Sequence, residues 1–324
     1  MKAVTVKEAG SADQLQITDQ PVPEPGKGEL LIKVEAAAIN RTDILAREGK
    51  AGYMTNPILG IEVAGTVVES SSPSWSEGDR IMGLVEGGGY AEYAVMPADR
   101  GMPIPSSLSF EEAAAVPEVF LTAFQTLYWI GKLQKEETVL IHAGASGVGT
   151  AAIQLAHKLS RARTLVTAGS EKKLNVCREL GADVGINYKT DAFEKEVLKH
   201  TNDIGADLIL DFIGASYWEK NLTSVRTDGR WVLIGILGGA EVEKINLMDI
   251  LLKRVQITGT LLTPRSSEYK AELTADFVKH TMHLFQRGDL APVVDEVFSI
   301  EDVPEAHRKM EANKNIGKIV LRIH

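Results

Sequence analysis

Val139-Leu140-Ile141-His142-Ala143-Gly144-Ala145-Ser146-Gly147-Val148-Gly149-Thr150-Ala151-Ala152-Ile153-Gln154-Leu155-Ala156 reads as a short apolar strand, a glycine-rich turn and then an apolar face at helical spacing. Such a unit is built to hold a dinucleotide pyrophosphate. The phosphates need bare backbone N–H groups at a helix amino terminus, where orphan amides and the helix dipole favour negative charge, and glycines let the backbone approach. The same pattern on its own also fits a plain strand-to-helix connection.

The segments that follow supply the context. Apolar runs recur at Leu165 to Ala168, Val184 to Tyr188, Leu208 to Phe212, Trp231 to Ile236 and Val255 to Leu262. Helix-like segments, Glu171 to Leu180, Asp191 to His200 and Tyr217 to Val225, lie between them. Runs that are apolar without alternation belong to strands covered on both faces. The segment therefore predicts an α/β unit, a doubly wound parallel (Rossmann) sheet of six strands with Gly144 to Gly149 after its first.

A length of 324 residues exceeds one compact core, and 44% hydrophobic with 24% charged residues excludes disorder. A net charge of −9 argues against non-specific binding to nucleic acid or an anionic membrane. Small molecules are the expected partners. Neither the start of the chain, Met1 to Glu8, nor any apolar span suggests a signal or a membrane segment, so a cytoplasmic location is expected. The single cysteine, Cys177, rules out an internal disulfide and reads as a small buried residue of a helix.

The first part of the chain has another texture. Glu29 to Ala36, Val63 to Val68 and Ala91 to Val95 are short strands between turns rich in Gly, Pro and Ser, and no long helical period appears before Phe110. An antiparallel β domain or barrel is expected. The tail ends in another strand, Ile319 to Ile323, after a sheet that already has its strands, so it is expected to return to the first domain.

Several motifs together resemble the medium-chain dehydrogenase/reductase superfamily. They are Ala38-Ile39-Asn40-Arg41-Thr42-Asp43, Ile58 to Gly65, Gly78-Asp79-Arg80-Ile81, Gly87 to Tyr93, the glycine turn, and Asn313 to Leu321. The resemblance is to its zinc-free, zeta-crystallin-like quinone oxidoreductase branch; Ser216 to Asn221 and Asp228 to Leu233 are most similar to the p53-inducible type. It implies a GroES-like β-barrel domain at 1–121 and 263–324, an NADPH-binding Rossmann domain at 122–262, and a homodimer through the edge strand at 255–262.

Zinc alcohol dehydrogenases of the same superfamily carry a ligand cysteine where this chain has Asn40, and a ligand histidine where it reads Gly60-Ile61-Glu62. No metal is expected. Without a Lewis acid, hydride donation to a conjugated acceptor, which spreads the charge itself, suits the chain better than interconversion of simple alcohols and carbonyls.

Thr167-Ala168-Gly169-Ser170 ends the second strand without the carboxylate that would accept from a ribose 2′-hydroxyl, although Glu171 follows. The resemblance gives Lys173 and Tyr188 to a 2′-phosphate instead, which favours NADPH. It also implies cofactor contacts for Gly144, Ala145, Ser146, Gly147, Val148, Ile213 and Asn313, and puts Thr122 near the nicotinamide, where packing of a helix face explains a threonine equally well. Ser146 donates to a phosphate or caps a helix. Gly235 and Leu237 follow the fifth strand, where carbonyls can meet the carboxamide. Asn40 addresses the ribose, an acceptor oxygen or a bound water, or makes an Asx turn before Arg41. Tyr53 stands near a tyrosine of the relatives' acceptor pocket, in a loop a few residues shorter than theirs. His142 and Asp211 read as a strand residue and a turn former.

These readings converge on an NADPH-dependent, zinc-independent quinone reductase, with Asn40 and Tyr53 as its candidate polar catalytic groups. An enoyl or 2-alkenal reductase is the alternative. A non-catalytic NADPH- or RNA-binding protein is the alternative of another class, disfavoured for RNA by the acidic balance.

Overall fold

The computed structural model, which describes residues 1–50, 52 and 56–324, divides the chain into two units, Met1–Leu121 with Pro264–His324 and Thr122–Thr263. The first unit opens with a hairpin, β1 (Lys2–Val6) and β2 (Leu15–Asp19), followed by β3 (Glu29–Ala38) and α1 (Arg41–Arg47). Then come β4 (Glu62–Ser70), β5 (Arg80–Leu84), β6 (Tyr93–Pro97), β7 (Gly101–Pro103) and α2 (Phe110–Ala114); α3 (Pro117–Phe124) runs across the boundary.

In the second unit β8 (Thr138–Ile141) leads into α4 (Gly147–Leu155), then β9 (Arg163–Ala168), α5 (Glu171–Glu179), β10 (Val184–Asn187), α6 (Phe193–His200) and β11 (Ala206–Asp211). It closes with α7 (Trp218–Ser224), β12 (Val225–Leu233), α8 (Leu247–Lys253) and β13 (Gln256–Gly259). The chain returns to the first unit as α9 (Ser267–Gln286), β14 (Val294–Ser299), α10 (Val303–Glu311) and β15 (Lys318–Arg322).

The six strands of the second unit are all parallel, in the order β10-β9-β8-β11-β12-β13. Val139, Leu140, Ile141, Leu208, Ile209 and Leu210 are fully buried, as strands covered on both faces require. The chain's order reverses between β8 and β11, and in such sheets ligands sit beyond the carboxyl ends of the strands at that switch point.

In the first unit β3 carries the sheet. Its first half pairs antiparallel with β6, Leu30 to Ala37 with β4, and its last residues, Ala36 to Ala38, with β15. Register breaks at Leu31/Ile32 and Val34/Ala36 bend it, the added twist of bulges that curls a sheet toward closure. The predicted return of the tail is seen here, since β15 also pairs parallel with β14.

Several boundaries differ from the sequence reading, four of them for a visible reason. Ala91 forms only an isolated bridge with Ala3, and β6 starts at Tyr93, where pairing with Lys33 begins. The runs ending at Phe212 and Ile236 leave the sheet at Asp211 and Leu233, because the chain turns there into loops held by Asp211. The edge run Val255 to Leu262 contributes only Gln256–Gly259, an edge strand having a partner on one side alone. The 20-residue α9 was not foreseen; its buried Leu273, Phe277, Leu284 and Phe285 keep helical spacing among many charges. Cys177 is buried, which pushes its thiol up to about 12. Among the described residues no helix is long and apolar enough to cross a membrane.

Candidate active site

Past β8 the chain turns through Ala143, which adopts a positive φ of 49°, and enters α4 at its N-cap, Ser146. The Ser146 hydroxyl oxygen accepts from the Gly149 N–H at 3.1 Å, and the first helical bond runs from Thr150 N–H to the Ser146 carbonyl at 2.9 Å. The Gly147 and Val148 amides therefore precede the helical ladder, the position at which orphan donors meet an anion. A Cβ on Gly149 would stand 2.4 Å from the Ala143 carbonyl oxygen, so only glycine lets helix and turn pack this closely. Ser146 thus caps the helix, and its hydroxyl hydrogen remains a donor.

A second helix start follows β9. Ser170 is the N-cap of α5 and accepts from the Lys173 N–H at 3.4 Å, which places Lys173 in the first turn. Tyr188, 45% exposed at the end of β10, lays its hydroxyl over Gly169, where an added Cβ would meet it at 2.8 Å. Gly169, Ser170 and Tyr188 are therefore neighbours, with Lys173 in the helical turn that Ser170 caps.

The ends of β11 and β12 form the third part. Asp211 Oδ1 accepts the Ile213 N–H at 2.7 Å and the Gly214 N–H at 3.1 Å, and the Asp211 carbonyl accepts the Gly235 N–H at 3.3 Å. Leu237 N–H donates to the Phe212 carbonyl at 3.1 Å. Ile213, Gly235 and Leu237 thus share one pair of loops.

Beneath them runs a buried polar chain. Asp211 Oδ2 accepts from Asn221 Nδ2 at 3.1 Å and Trp231 Nε1 at 3.0 Å. A carboxylate only accepts, so Asn221 turns its oxygen to His142 Nε2, 2.7 Å away, and His142 Nδ1 accepts from the Thr167 hydroxyl at 2.9 Å. Burial holds the imidazole below its usual pKa and neutral, consistent with this single tautomer. His142 and Asp211 were read as strand residue and turn former; Asn221, Thr167 and Trp231 lie up to 79 residues from their partners, and no local pattern announces them.

The first unit has a buried network of its own around Asn40, the N-cap of α1. Lys318 Nζ donates to Asn40 Oδ1 at 2.7 Å, to Glu62 Oε1 at 2.7 Å and to the Ile39 carbonyl at 2.9 Å. Asn40 Nδ2 donates to Glu62 Oε1 at 2.8 Å, and Glu62 Oε2 accepts the Glu118 N–H at 2.8 Å. Beside it Asp43 accepts from the Asn40 N–H, the Gly60 N–H and the Tyr90 hydroxyl. Burial, only partly offset by these bonds and by Lys318, pushes the Asp43 carboxyl up to about 6, and burial with Asp43 raises Tyr90 well above its ordinary range. Glu62, Asp43 and Tyr90 were read only as parts of motifs.

The remaining predicted residues are dispersed. Thr122 is buried in the second unit, its carbonyl accepting from the Thr126 hydroxyl at 2.7 Å. Asn313 lies in the first unit, bonded through Oδ1 to Arg41. Tyr53 lies outside the described residues. At the positions of zinc ligands, Ile61 has no donor atom and Asn40 is committed to Glu62 and to the Lys318 ammonium, which holds the ground a cation would take. These residues do not fit a zinc ion.

Two family models match the chain: an alcohol dehydrogenase GroES-like domain over residues 26–106 and a zinc-binding dehydrogenase over residues 147–278. A quinone oxidoreductase-like protein 2 homolog of Nematostella vectensis is 32% identical over 304 residues, covering 91% of this chain and 82% of that protein. A synaptic vesicle membrane protein VAT-1 homolog of Rattus norvegicus is 29% identical over 342 residues, covering 99% of this chain and 84% of that protein. The crystal structure of Escherichia coli quinone oxidoreductase complexed with NADPH superimposes with a TM-score of 0.90 at 25% identity, covering 100% of both chains.

Proposed function

The chain belongs to the zinc-free quinone oxidoreductase branch of the medium-chain dehydrogenase/reductase superfamily, and from that premise we propose that it is an NADPH-dependent quinone reductase. The observation that carries the reading is the pair of capped helix starts after β8 and β9, the second with Lys173 and Tyr188 beside Gly169. The Gly147 and Val148 amides and the Ser146 hydroxyl hold the pyrophosphate; Lys173 and Tyr188 hold the 2′-phosphate, a charge-assisted contact.

NADPH, when bound, supplies the hydride. Residues of the chain bind and orient, and catalysis is chiefly positioning. The loops carrying Ile213, Gly235 and Leu237 offer backbone groups to the carboxamide, and Asp211 fixes those loops from below. Thr122 stands near the nicotinamide, and Asn313 contributes from the first unit. Asn40 acts as an oriented polar group beside the acceptor: Lys318 and Glu62 fix which end of its amide faces which way. The proton comes from water or from a polar side chain, with Tyr53 and Asn40 as candidates. Residues 122–262 form the NADPH-binding domain, and 1–121 with 263–324 the catalytic one.

The assembly we propose is a homodimer. β13 is an edge strand of the sheet, and the neighbouring α8 exposes Leu247, Met248, Leu251 and Leu252. An edge and an apolar patch of this kind are a liability unless a copy covers them.

Steady-state oxidation of NADPH with ortho-quinones, para-quinones, alkenals and enoyl thioesters tests the activity. Turnover is expected to be fastest with a quinone. Faster turnover of an alkenal or enoyl thioester, or none with any quinone, would overturn it.

A further inference from the structure

The amino terminus of α9 gathers more positive charge than the carboxylate bonded to it neutralises. Arg100, in the turn after β6, is 1% exposed, and Lys270, in the first turn of α9, is 5% exposed. The two share one carboxylate, Glu86, whose side chain is 61% exposed. Arg100 Nη1 donates to Glu86, and Lys270 Nζ reaches the same oxygen at 3.4 Å. Arg100 Nη2 donates to the hydroxyl of Ser267, the first residue of α9, at 3.0 Å.

Charges this deeply buried are rarely left without full compensation. Here a guanidinium, an ammonium and a helix start, whose dipole adds further positive potential, meet one solvent-facing carboxylate. Glu268, in the same turn, is exposed and engaged with its own backbone amide and Ser266. The donors are also undersupplied. Arg100 Nε is buried without a partner among the described residues, although it lies on the same edge of the guanidinium as the Nη2 bonded to Ser267. That edge is the fork that takes two oxygens of a carboxylate or phosphate, and only one of its donors is used.

We infer that Arg100, Lys270 and the amino terminus of α9 bind a phosphate group, free or esterified, and that the Glu86 carboxylate stands in for it. A phosphate brings more oxygens and more charge than one carboxylate: in the place of Glu86 it serves Arg100 Nη1 and Lys270, and bound instead at the Ser267 edge it would take Arg100 Nε. Glu86 also lines a groove of about 360 Å³ with Pro57, Ile58, Tyr93 and Pro97. Of the groups at the proposed site Glu86 alone reaches the groove, so a phosphate ester whose body enters the groove would have to approach from the Glu86 side.

The test is calorimetric titration with inorganic phosphate and with phenyl phosphate at fixed ionic strength, in a Lys173→Ala background that removes the nucleotide-phosphate contact. Glu86→Gln removes the competing carboxylate and is expected to tighten phosphate at least tenfold. Lys270→Met, added to Glu86→Gln, is expected to reverse that gain while circular dichroism stays native. Tighter binding of phenyl phosphate than of phosphate would assign the groove to the same site. No saturable phosphate binding by Glu86→Gln, or binding that Lys270→Met leaves unchanged, overturns the inference. Arg100→Met is a second reading if it folds; Lys270→Met decides without it.

Discussion

Each unit buries a carboxylate, and the two solve the problem differently. Glu62 is met by an ammonium, Lys318, 256 residues away. Asp211 is met by neutral donors alone: two backbone amides of the loop that follows it, the Asn221 amide and the Trp231 indole. A counter-charge gives strong compensation through one partner, whereas several dipoles spread it so that no single one is decisive. The first arrangement should therefore fail abruptly when one residue changes, and the second by degrees.

Lys318→Met is the most direct way to break the comparison. It leaves Glu62 buried and unpaired, and a loss of about 3–5 kcal/mol is expected, measured as a fall in the urea midpoint. A loss below about 1 kcal/mol would mean that the Asn40 and Glu118 donors suffice without the ammonium, and would remove the contrast.

Acid titration sharpens the same contrast. Asp43 has a folded pKa of about 6, raised by burial above an unfolded value of 3.8. Its contribution to stability is present below the unfolded value and is lost as pH rises through the folded one. Asp43→Asn should therefore lose stability relative to the wild type as pH falls from 6 to 4, by about 1.4 kcal/mol per pH unit. His307 opposes it: burial lowers its pKa to about 3, so its contribution is lost as pH falls through the same range. Urea titrations at several pH values check the sign. An Asp43→Asn difference that does not change with pH would show that Asp43 is ionised throughout.

For the dipole-compensated side, Trp231→Phe removes one of four donors to Asp211. About 2 kcal/mol is expected, the worth of one hydrogen bond to a charged acceptor. A loss as large as that of Lys318→Met would erase the distinction between the units.

The smallest effect belongs to a partly exposed cation that has water as its alternative. Lys173→Ala should cost NADPH about tenfold in Kd, about 1.4 kcal/mol, and leave NADH unchanged. Fluorescence titration with both nucleotides decides it; equal losses would remove Lys173 from the 2′-phosphate.

How legible each network was follows from the same difference. The turn at Gly144 to Gly149 and the six strands could be read because strands covered on both faces are apolar throughout, a signal carried by consecutive residues. The turn-forming role of Asp211 was readable as well, since its backbone donors are two and three residues away. Lys318 and Glu62 were not. Each sits in a motif beside apolar neighbours, where a charged residue reads as a surface one, and only the pairing of both β15 and β4 with the end of β3 brings them together. The helix α9 is harder to read for a related reason: Glu268, Lys270, Glu272, Asp276 and Lys279 interrupt its apolar positions, and the burial that makes it a helix in this fold comes from distant elements.

The antiparallel pairing of β15 with the end of β3 also bears on the order in which the protein is made. The second unit is a single stretch, 122–263, and has all its strands while the last sixty residues are still to be synthesised. The first unit begins earlier yet is finished later: until Lys318 has left the ribosome, Glu62 has no counter-charge and the β3 edge at Ala36 to Ala38 has no partner. A nascent chain therefore carries a completed parallel sheet tethered to an open one, and its exposure to wrong pairing lasts as long as translation of residues 264–318.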